Sequence, residues 1–289
     1  MMPVDGQTRL LGIMGWPVEH TLSPAMHNSA FAALGLNWSY LPLPVPPANL
    51  QIALSGLVAL GFRGANVTVP HKEAVMQHLD ATTAAAQAIG AVNTIVVGED
   101  GRMMGDNTDC FGFLASLNEA GFDPRGRRVL VLGAGGAARA VVYALAGSGA
   151  RVVVLNRTLA SAAALVLFLS FAVPAGALSA RPLTSDVLAE EAAQADLLVN
   201  ATTVGMWPDD NSSLWPDTLP FPPSLVACDL VYRPRETKLL HQARQAGALT
   251  IEGVEMLVQQ GALAFEMWTD HQAPLEVMRS ACLRALGDR

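Results

Sequence analysis

Cysteine is scarce in this chain of 289 residues, and the three present, Cys110, Cys228 and Cys282, lie too far apart in sequence to form a metal-binding or redox motif. Their spacing excludes a disulfide framework, fits a reducing cytoplasm, and leaves all three as packing residues with no metal site implied. Positive charge is also short: 18 Lys and Arg face 25 Asp and Glu, a formal charge of -7. Such a field repels polyanions, so nucleic acid is not an expected partner, and any phosphate or carboxylate must be held by local groups. Long apolar runs are missing as well. The longest, Ala162 to Val173, falls well short of the roughly 20 residues a membrane-spanning helix needs, and reads as a buried helix. The opening Met1-Met2-Pro-Val-Asp-Gly carries neither the basic flank nor the apolar core of a signal peptide. No period of about 20 to 50 residues recurs, which excludes a solenoid.

What is present is a chain that is 51% apolar and long enough for two domains with a cleft between them. Near its middle, Arg128-Val-Leu-Val-Leu-Gly-Ala-Gly-Gly-Ala-Ala-Arg139 runs from a β-favouring apolar segment into a glycine cluster and then an alanine-rich helix. Gly133, Gly135 and Ala138 stand at G-x-G-x-x-A spacing, which suits a pyrophosphate. The first glycine makes the tight turn, the second admits the phosphates to the backbone, and Ala138 lets the helix lie on its strand. The same turn could also join strand to helix without a ligand.

Ahead of this turn, β-α-β alternation builds. Leu10 to Met14 reads as a strand. Thr21-Leu-Ser-Pro-Ala-Met-His27 opens a helix with Ser23 as N-cap, Pro24 at its first position and Gly35 as its stop. The hydroxyls of Thr21 and Ser23 either serve the helix end or, with its amides, hold a carboxylate. Trp38 to Val45 is a second strand and Leu50 to Gly61 a helix. Gly64 to Val69 is a third strand, ended by Pro70, that presents Asn66, Thr68 and Lys72 from a strand end, where open α/β sheets bind ligands. Lys72 is either catalytic or a solvated surface lysine; His27 and His71 read as ordinary, partly exposed polar residues. Ala84 to Ala88 is a short helix, Gly90 to Val97 a strand carrying Asn93, and Glu99-Asp-Gly101 a hairpin turn. Asp109 stands at the start of a helix from Cys110 to Ala120, as its cap or as a functional acid.

Gly121-Phe-Asp-Pro-Arg-Gly126 is a cluster of turn residues that marks a domain boundary. Beyond the glycine turn, Ala150 to Leu155 is the next buried strand, ending in Asn156-Arg157-Thr158. An acid in this position would bind an NAD ribose, whereas an arginine can hold a 2'-phosphate, so the pattern favours NADP. Strands at Ala195 to Asn200, Leu225 to Leu230 and Ala248 to Ile251, with a proline-rich loop from Trp207 to Pro223 and a helix from Glu236 to Ala246, complete a doubly wound parallel sheet. The helix Val254 to Thr269 has Glu255, Gln259, Glu266 and Asp270 on a polar face and Met256, Leu257, Leu263, Ala264 and Met267 on an apolar one. Gln260 sits among the apolar set and must bond either a backbone group or a ligand.

Together these residues resemble the shikimate dehydrogenase family over nearly the whole chain. The motifs in order are Thr-Leu-Ser-Pro-Ala-Met-His-Asn from Thr21, Asn-Val-Thr-Val-Pro-His-Lys from Asn66, Gly-Ala-Val-Asn-Thr from Gly90 and Asn-Thr-Asp from Asn107. Then follow Gly-Ala-Gly-Gly-Ala-Ala-Arg from Gly133, Asn-Arg-Thr from Asn156, Asn-Ala-Thr from Asn200, Asp-Leu-Val-Tyr from Asp229 and Met-Leu-Val-Gln-Gln-Gly-Ala from Met256. The resemblance implies an α/β fold with a substrate domain from residues 1–110 plus 253–289 and a Rossmann-like NADP domain over 111–252. It implies reversible, NADPH-dependent reduction of 3-dehydroshikimate to shikimate in aromatic amino acid biosynthesis, by a monomer or homodimer without membrane or nucleic-acid partners.

Carried over by residue, Thr21 and Ser23 would hold the substrate carboxylate, Thr68, Asn93, Asp109 and Gln260 its hydroxyls, and Tyr232 would also contact substrate. Lys72 and Asp109 would be the catalytic pair, since an alkoxide formed by hydride delivery needs a proton donor within hydrogen-bond reach. Gly133, Ala134, Gly135, Gly136, Ala137, Asn156, Arg157, Thr158, Thr202, Val231 and Gly253 would surround the cofactor. Two positions depart from the family pattern. Thr21 stands where serine is usual, and Ser161 replaces a second basic residue, leaving Arg157 as the strand-end cation. Use of quinate, or of NAD, is therefore the alternative within the family; a catalytically silent NADP-binding regulator on the same fold is the alternative outside it.

Overall fold

The computed structural model describes residues 4–287; the opening Met1-Met2-Pro3 lies outside them. The chain separates into two compact units, one of residues 1–108 with 258–289 and the other of residues 109–257.

Unit 1 contains β1 (Arg9–Gly15), α1 (Ser23–Leu34), β2 (Trp38–Pro44), α2 (Leu50–Ala59), β3 (Phe62–Val67), β4 (Ala81–Thr82), α3 (Ala84–Ile89), β5 (Thr94–Val97) and β6 (Met103–Asp106). Its sheet runs β2-β1-β3-β5-β6-β4. β1 pairs parallel with β2 and β3, whereas β5 is antiparallel to both β3 and β6. The hairpin between β5 and β6 closes through Gly98 N–H to the Arg102 carbonyl, with Gly101 at φ +80°. One face of the sheet buries Met14, Leu54, Leu57, Val67 and Ile95. A layer of aromatic rings forms around His27 on α1: Tyr40 of β2 stacks on it at 4.4 Å, with Phe31 and Phe265 at 6.3 Å each. Such stacked pairs contribute about 0.5–1.5 kcal/mol each beyond the area they bury.

His27 and His71 are both buried, contrary to the partly exposed state their polarity suggested. His71 Nε2 lies 2.7 Å from the Val45 carbonyl. Neither ring nitrogen of His27 has a hydrogen-bond partner, and burial pulls its pKa down to about 3, which keeps the ring neutral inside the aromatic layer. Ser23 is likewise not the N-cap of α1 but its first residue, because the chain turns into helix at Leu22. Thr21 Oγ1 accepts the Ser23 N–H at 3.3 Å instead. Gly35 ends the helix in the left-handed conformation, φ +65°, as its position implied.

Unit 2 contains α4 (Asp109–Glu119), β7 (Arg128–Leu132), α5 (Gly136–Gly147), β8 (Arg151–Asn156), α6 (Leu159–Leu169), β9 (Leu178–Pro182), α7 (Ser185–Ala192), β10 (Leu197–Asn200), β11 (Val226–Asp229), α8 (Lys238–Gln245) and β12 (Thr250–Ile251). Every strand pair is parallel and the order is β12-β11-β10-β7-β8-β9, the doubly wound arrangement. β7, β8 and β10 are buried almost throughout, as parallel strands covered on both faces require. The proline-rich loop sends two side chains into this core. Trp215 packs on Phe221 and donates its indole N–H to the Leu219 carbonyl at 2.7 Å.

The apolar run Ala162 to Val173 is not a buried helix. α6 buries Ala162, Leu165 and Leu169, while Leu167 is 64% and Phe171 86% exposed. A helix on the outside of a sheet has one side to bury, and apolar residues all round it leave the rest in water. No helix among the described residues is long and apolar enough to cross a membrane.

Helix α9 (Gly253–Thr269) begins in unit 2 and continues into unit 1, where α10 (Leu275–Gly287) packs on α1. Its buried stripe is Val254, Met256, Val258, Gln260, Ala262, Ala264, Phe265 and Trp268, so Leu257, Leu263 and Met267 are only half-buried.

Candidate functional site

In unit 1, the carboxyl ends of β1, β3 and β6 and the amino end of β5 share one sheet edge, because β5 runs opposite to its neighbours. The segments leaving this edge carry the polar residues. β1 continues into the loop to Thr21 and Ser23, β3 into Thr68 and Lys72, β5 is preceded by Asn93, and β6 is followed by Asn107 and Thr108. The edge is tied together by backbone bonds. Thr68 N–H donates to Met14, Trp16 N–H to Val69, Val92 N–H to Lys72 and Asn93 N–H to Asp106. Gly15 is required here: a Cβ on it would stand 2.3 Å from Thr68 Cγ2 and 2.7 Å from Val18 Cγ1.

Asn93 is the hub of this edge. Its Oδ1 accepts Thr108 N–H at 2.7 Å and Thr94 Oγ1 at 3.0 Å, and its Nδ2 donates to Thr108 Oγ1 at 3.0 Å and Gln260 Oε1 at 3.3 Å. Behind it, Tyr40 OH donates to Asn66 Oδ1 at 2.6 Å, and Asn66 Nδ2 donates to Thr94 Oγ1 at 3.1 Å. Asn66 is therefore spent on the framework and is not presented to a ligand. Tyr40, Thr94 and Thr108 belong to the network without having been expected there, since nothing in an isolated tyrosine or threonine announces a partner from a distant segment.

Gln260 reaches this edge because α9 is clamped at two points. Gly261 faces α1 so closely that a Cβ would lie 2.2 Å from Met26 Cε. Trp268 donates its indole N–H to the Ile95 carbonyl at 2.9 Å across Gly64, whose absent side chain makes the room. Thr21 and Ser23 hydroxyls are 3.2 Å apart. Ser23, Asn93 and Gln260 are buried, whereas Thr21, Thr68 and Lys72 are half-buried. Asp109, the next residue after Thr108, is the buried first residue of α4 and belongs to unit 2, as does half-buried Tyr232.

In unit 2, the sheet reverses direction of growth between β7 and β10, and the loops after these two strands meet. Gly133 has φ +111°, and a Cβ on it would lie 2.8 Å from Thr202 Cγ2. Gly135 is exposed with open space where a side chain would be, and α5 starts there without any side-chain cap. Uncapped amides at a helix start beside bare glycine backbone fit a pyrophosphate. Arg157 and Thr158 are exposed at the end of β8, where Asn156 Nδ2 donates to the Thr158 carbonyl. No ion pair or hydrogen bond occupies Arg157 among the described residues, so its guanidinium can take an anion. Thr202 is half-buried, and Val231 and Gly253 are buried in contact: a Cβ on Gly253 would lie 2.7 Å from the Val231 carbonyl oxygen. No group of three or more His, Cys, Asp or Glu side chains that could hold a metal occurs among the described residues.

Comparison with known proteins places the chain in a family. Three family models match in order: the shikimate dehydrogenase substrate binding domain over residues 13–95, shikimate / quinate 5-dehydrogenase over 116–206, and the shikimate 5'-dehydrogenase C-terminal domain over 253–283. The chain is 50% identical to a shikimate dehydrogenase (NADP(+)) of Moorella thermoacetica, with 99% of this chain and 97% of that one aligned. The chain belongs to the shikimate dehydrogenase family.

Solved structures agree with this membership. A shikimate dehydrogenase crystallised in complex with NADP+ superposes with a TM-score of 0.91 at 38% identity, covering 98% of both chains. The shikimate 5-dehydrogenase of Thermus thermophilus, in complex with NADP(H) and shikimate, gives a TM-score of 0.86 at 44% identity over 96% of this chain and 100% of that one. The likeness extends to a quinate dehydrogenase of Corynebacterium glutamicum in complex with NAD, at 32% identity and a TM-score of 0.88 over 96% of this chain and 99% of that one. The shikimate dehydrogenase family thus includes neighbours bound to either cofactor.

Proposed function

We propose that this chain catalyses the reversible, NADP-dependent interconversion of 3-dehydroshikimate and shikimate. The observation that carries this reading is the gathering of the Thr21, Ser23, Thr68, Lys72, Asn93 and Gln260 segments on one edge of the unit 1 sheet, in a chain half identical to a shikimate dehydrogenase (NADP(+)). Unit 1 is the substrate-binding unit in this reading and unit 2 the cofactor-binding unit. The hydroxyls of Thr21 and Ser23 hold the substrate carboxylate, and Thr68, Asn93, Gln260, Asp109 and Tyr232 hold the rest of the ring. In unit 2, residues 133–137 cradle the pyrophosphate, Arg157 with Asn156 and Thr158 takes the 2'-phosphate, and Thr202, Val231 and Gly253 line the remainder.

When bound, NADPH supplies the hydride. Lys72 and Asp109 are the proton-transfer pair: the Lys72 ammonium gives its proton to the oxygen that becomes a hydroxyl, and in the reverse direction the neutral amine receives it. Buried amides and hydroxyls suit a polyhydroxylated ring, because each can donate or accept to match a hydroxyl of either orientation. The enzyme works in the cytoplasm in this reading, in keeping with three buried cysteines, none of which is in a disulfide among the described residues.

The test is a spectrophotometric assay of the purified full-length chain with shikimate or quinate and NADP or NAD. Turnover fastest with shikimate and NADP is expected, and no turnover with any pair sinks the proposal. Thr21 and Ser161 favour one second reading, a broader enzyme that accepts quinate or NAD. It predicts comparable kcat/KM for two or more of the four pairs.

A further inference from the structure

Asp229, at the end of β11, has no side-chain exposure, yet three donors from three segments converge on its carboxylate. Asn200 Nδ2 donates to Oδ1 at 2.9 Å, Val231 N–H to Oδ1 at 3.0 Å and Thr237 Oγ1 to Oδ2 at 2.7 Å. The first bond leads onward. Asn200 Oδ1 accepts both the N–H and the hydroxyl of Thr202, at 3.1 and 2.7 Å, and Asn200 Nδ2 also donates to the Val204 carbonyl. Thr202 Cγ2 in turn fills the space beside Gly133 that a side chain there would need. The second bond leads to Val231, whose carbonyl, with that of Leu230, lies against the bare α-carbon of Gly253.

The geometry points to Asp229 as a positioning residue for the dinucleotide site: one buried carboxylate fixes Thr202, Val231, Gly133 and Gly253, four backbone positions assigned to the cofactor, without touching the cofactor itself. This inference rests on the proposed NADP site in unit 2. A carboxylate suits the task because it only accepts, so all three donors are held in one sense and none can reverse. The third bond serves a separate purpose. Thr237 Oγ1 also accepts Leu240 N–H at 3.3 Å and so caps α8, which makes it a stability contact on the far side of the same carboxylate.

That division supplies the test. Dissociation constants for NADP and for shikimate are measured by calorimetric titration, with melting temperatures, for the full chain and for Asp229→Asn, Asn200→Ala, Thr237→Ala and the exchange variant Asp229→Asn/Asn200→Asp. Asp229→Asn and Asn200→Ala are each expected to raise the NADP constant about tenfold or more while the shikimate constant changes less than about twofold. Thr237→Ala is expected to lower the melting temperature with the NADP constant within about threefold of the parent, and the exchange variant to recover part of the lost affinity by restoring an amide–carboxylate pair. Should Asp229→Asn not fold, Asn200→Ala tests the same relay one residue further along.

Unchanged NADP affinity in Asp229→Asn or Asn200→Ala overturns the inference. So does a loss in Thr237→Ala as large as theirs, which would make the effect one of stability alone. Failure of the parent protein to bind NADP would instead overturn the cofactor assignment beneath it, and is visible before any variant is made.

Discussion

In unit 1 the polar groups buried at the sheet edge are uncharged, the amides of Asn66, Asn93 and Gln260 with the hydroxyls of Tyr40, Thr94 and Thr108, whereas in unit 2 Asn200, Val231 and Thr237 gather round the carboxylate of Asp229. One buried histidine of unit 1, His27, is held neutral in its aromatic layer by burial. Desolvation likewise raises the Asp229 carboxyl to about 6, against the lowering effect of its bonds from Thr237, Val231 and Asn200. An uncharged network can exchange donors for acceptors and so meet the hydroxyls of a ring. A carboxylate cannot, and in the proposed reading it holds backbone for a dinucleotide recognised through glycine amides. The two units bury polarity at similar depth and direct it to different chemistry.

The sharpest division between the units is expected from Lys72→Ala, which should lower kcat by a factor of order 100 or more, as loss of a general acid does, while NADP binding stays within about twofold. Steady-state assays beside calorimetric NADP titration check it, and unchanged turnover would return Lys72 to the solvated surface. The counterpart in unit 2 is Arg157→Ala. It should raise KM for NADP by about tenfold and leave KM for NAD within about twofold, since a lost charge-assisted phosphate bond costs about 1.5–3 kcal/mol. Equal effects on both cofactors would move the 2'-phosphate elsewhere.

Acid should separate the units by sign. His27 takes up its proton in the unfolded chain below about pH 6.5 but in the folded one only near 3, so it removes stability as pH falls between those values. Asp229 is protonated at about 6 in the fold and only near 3.8 when unfolded, so over that narrower window it adds stability as pH falls. Urea unfolding at pH 7 and pH 5 should therefore show His27→Phe losing less stability on acidification than the parent, by about 2 kcal/mol, and Asp229→Asn losing more, by about 1 kcal/mol. Identical pH dependence in parent and variants would contradict both assignments.

The smallest effect is expected from Tyr40→Phe. It deletes one buried bond behind Asn93, costing about 1 kcal/mol of stability and raising KM for shikimate about threefold with KM for NADP unchanged. An equal rise for both ligands would mean the network is structural only.

Much of this was legible in the chain itself, for reasons of short range. The strand, glycine turn and helix from Arg128 onward are fixed by apolar run, turn and helix former within a dozen residues, and Gly35 as the stop of α1 by one left-handed position. The motif from Thr21 to His27 illustrates the limit. Its helix was readable, but whether Ser23 or Leu22 is the cap depends on one ψ angle, and whether His27 is exposed depends on α9 and β2 closing over it from more than ten residues away. The apolar run of α6 shows the converse, since hydrophobicity was evident and the absence of anything to cover Leu167 and Phe171 was not.

The sequence by itself determined most of the elements, the doubly wound half and the family, because each rests on local spacing or on motifs strung in order; the edge strands β4 and β9 and the helix α7 were not among the elements read from it. Only the tertiary structure decided which polar residues meet. Asn66 turned inward to Tyr40, Gln260 came to Asn93 from 167 positions away, and Asp229 became the anchor of two loops. A buried polar group must find a partner, and where no local one exists the partner is set by how strands and helices pack.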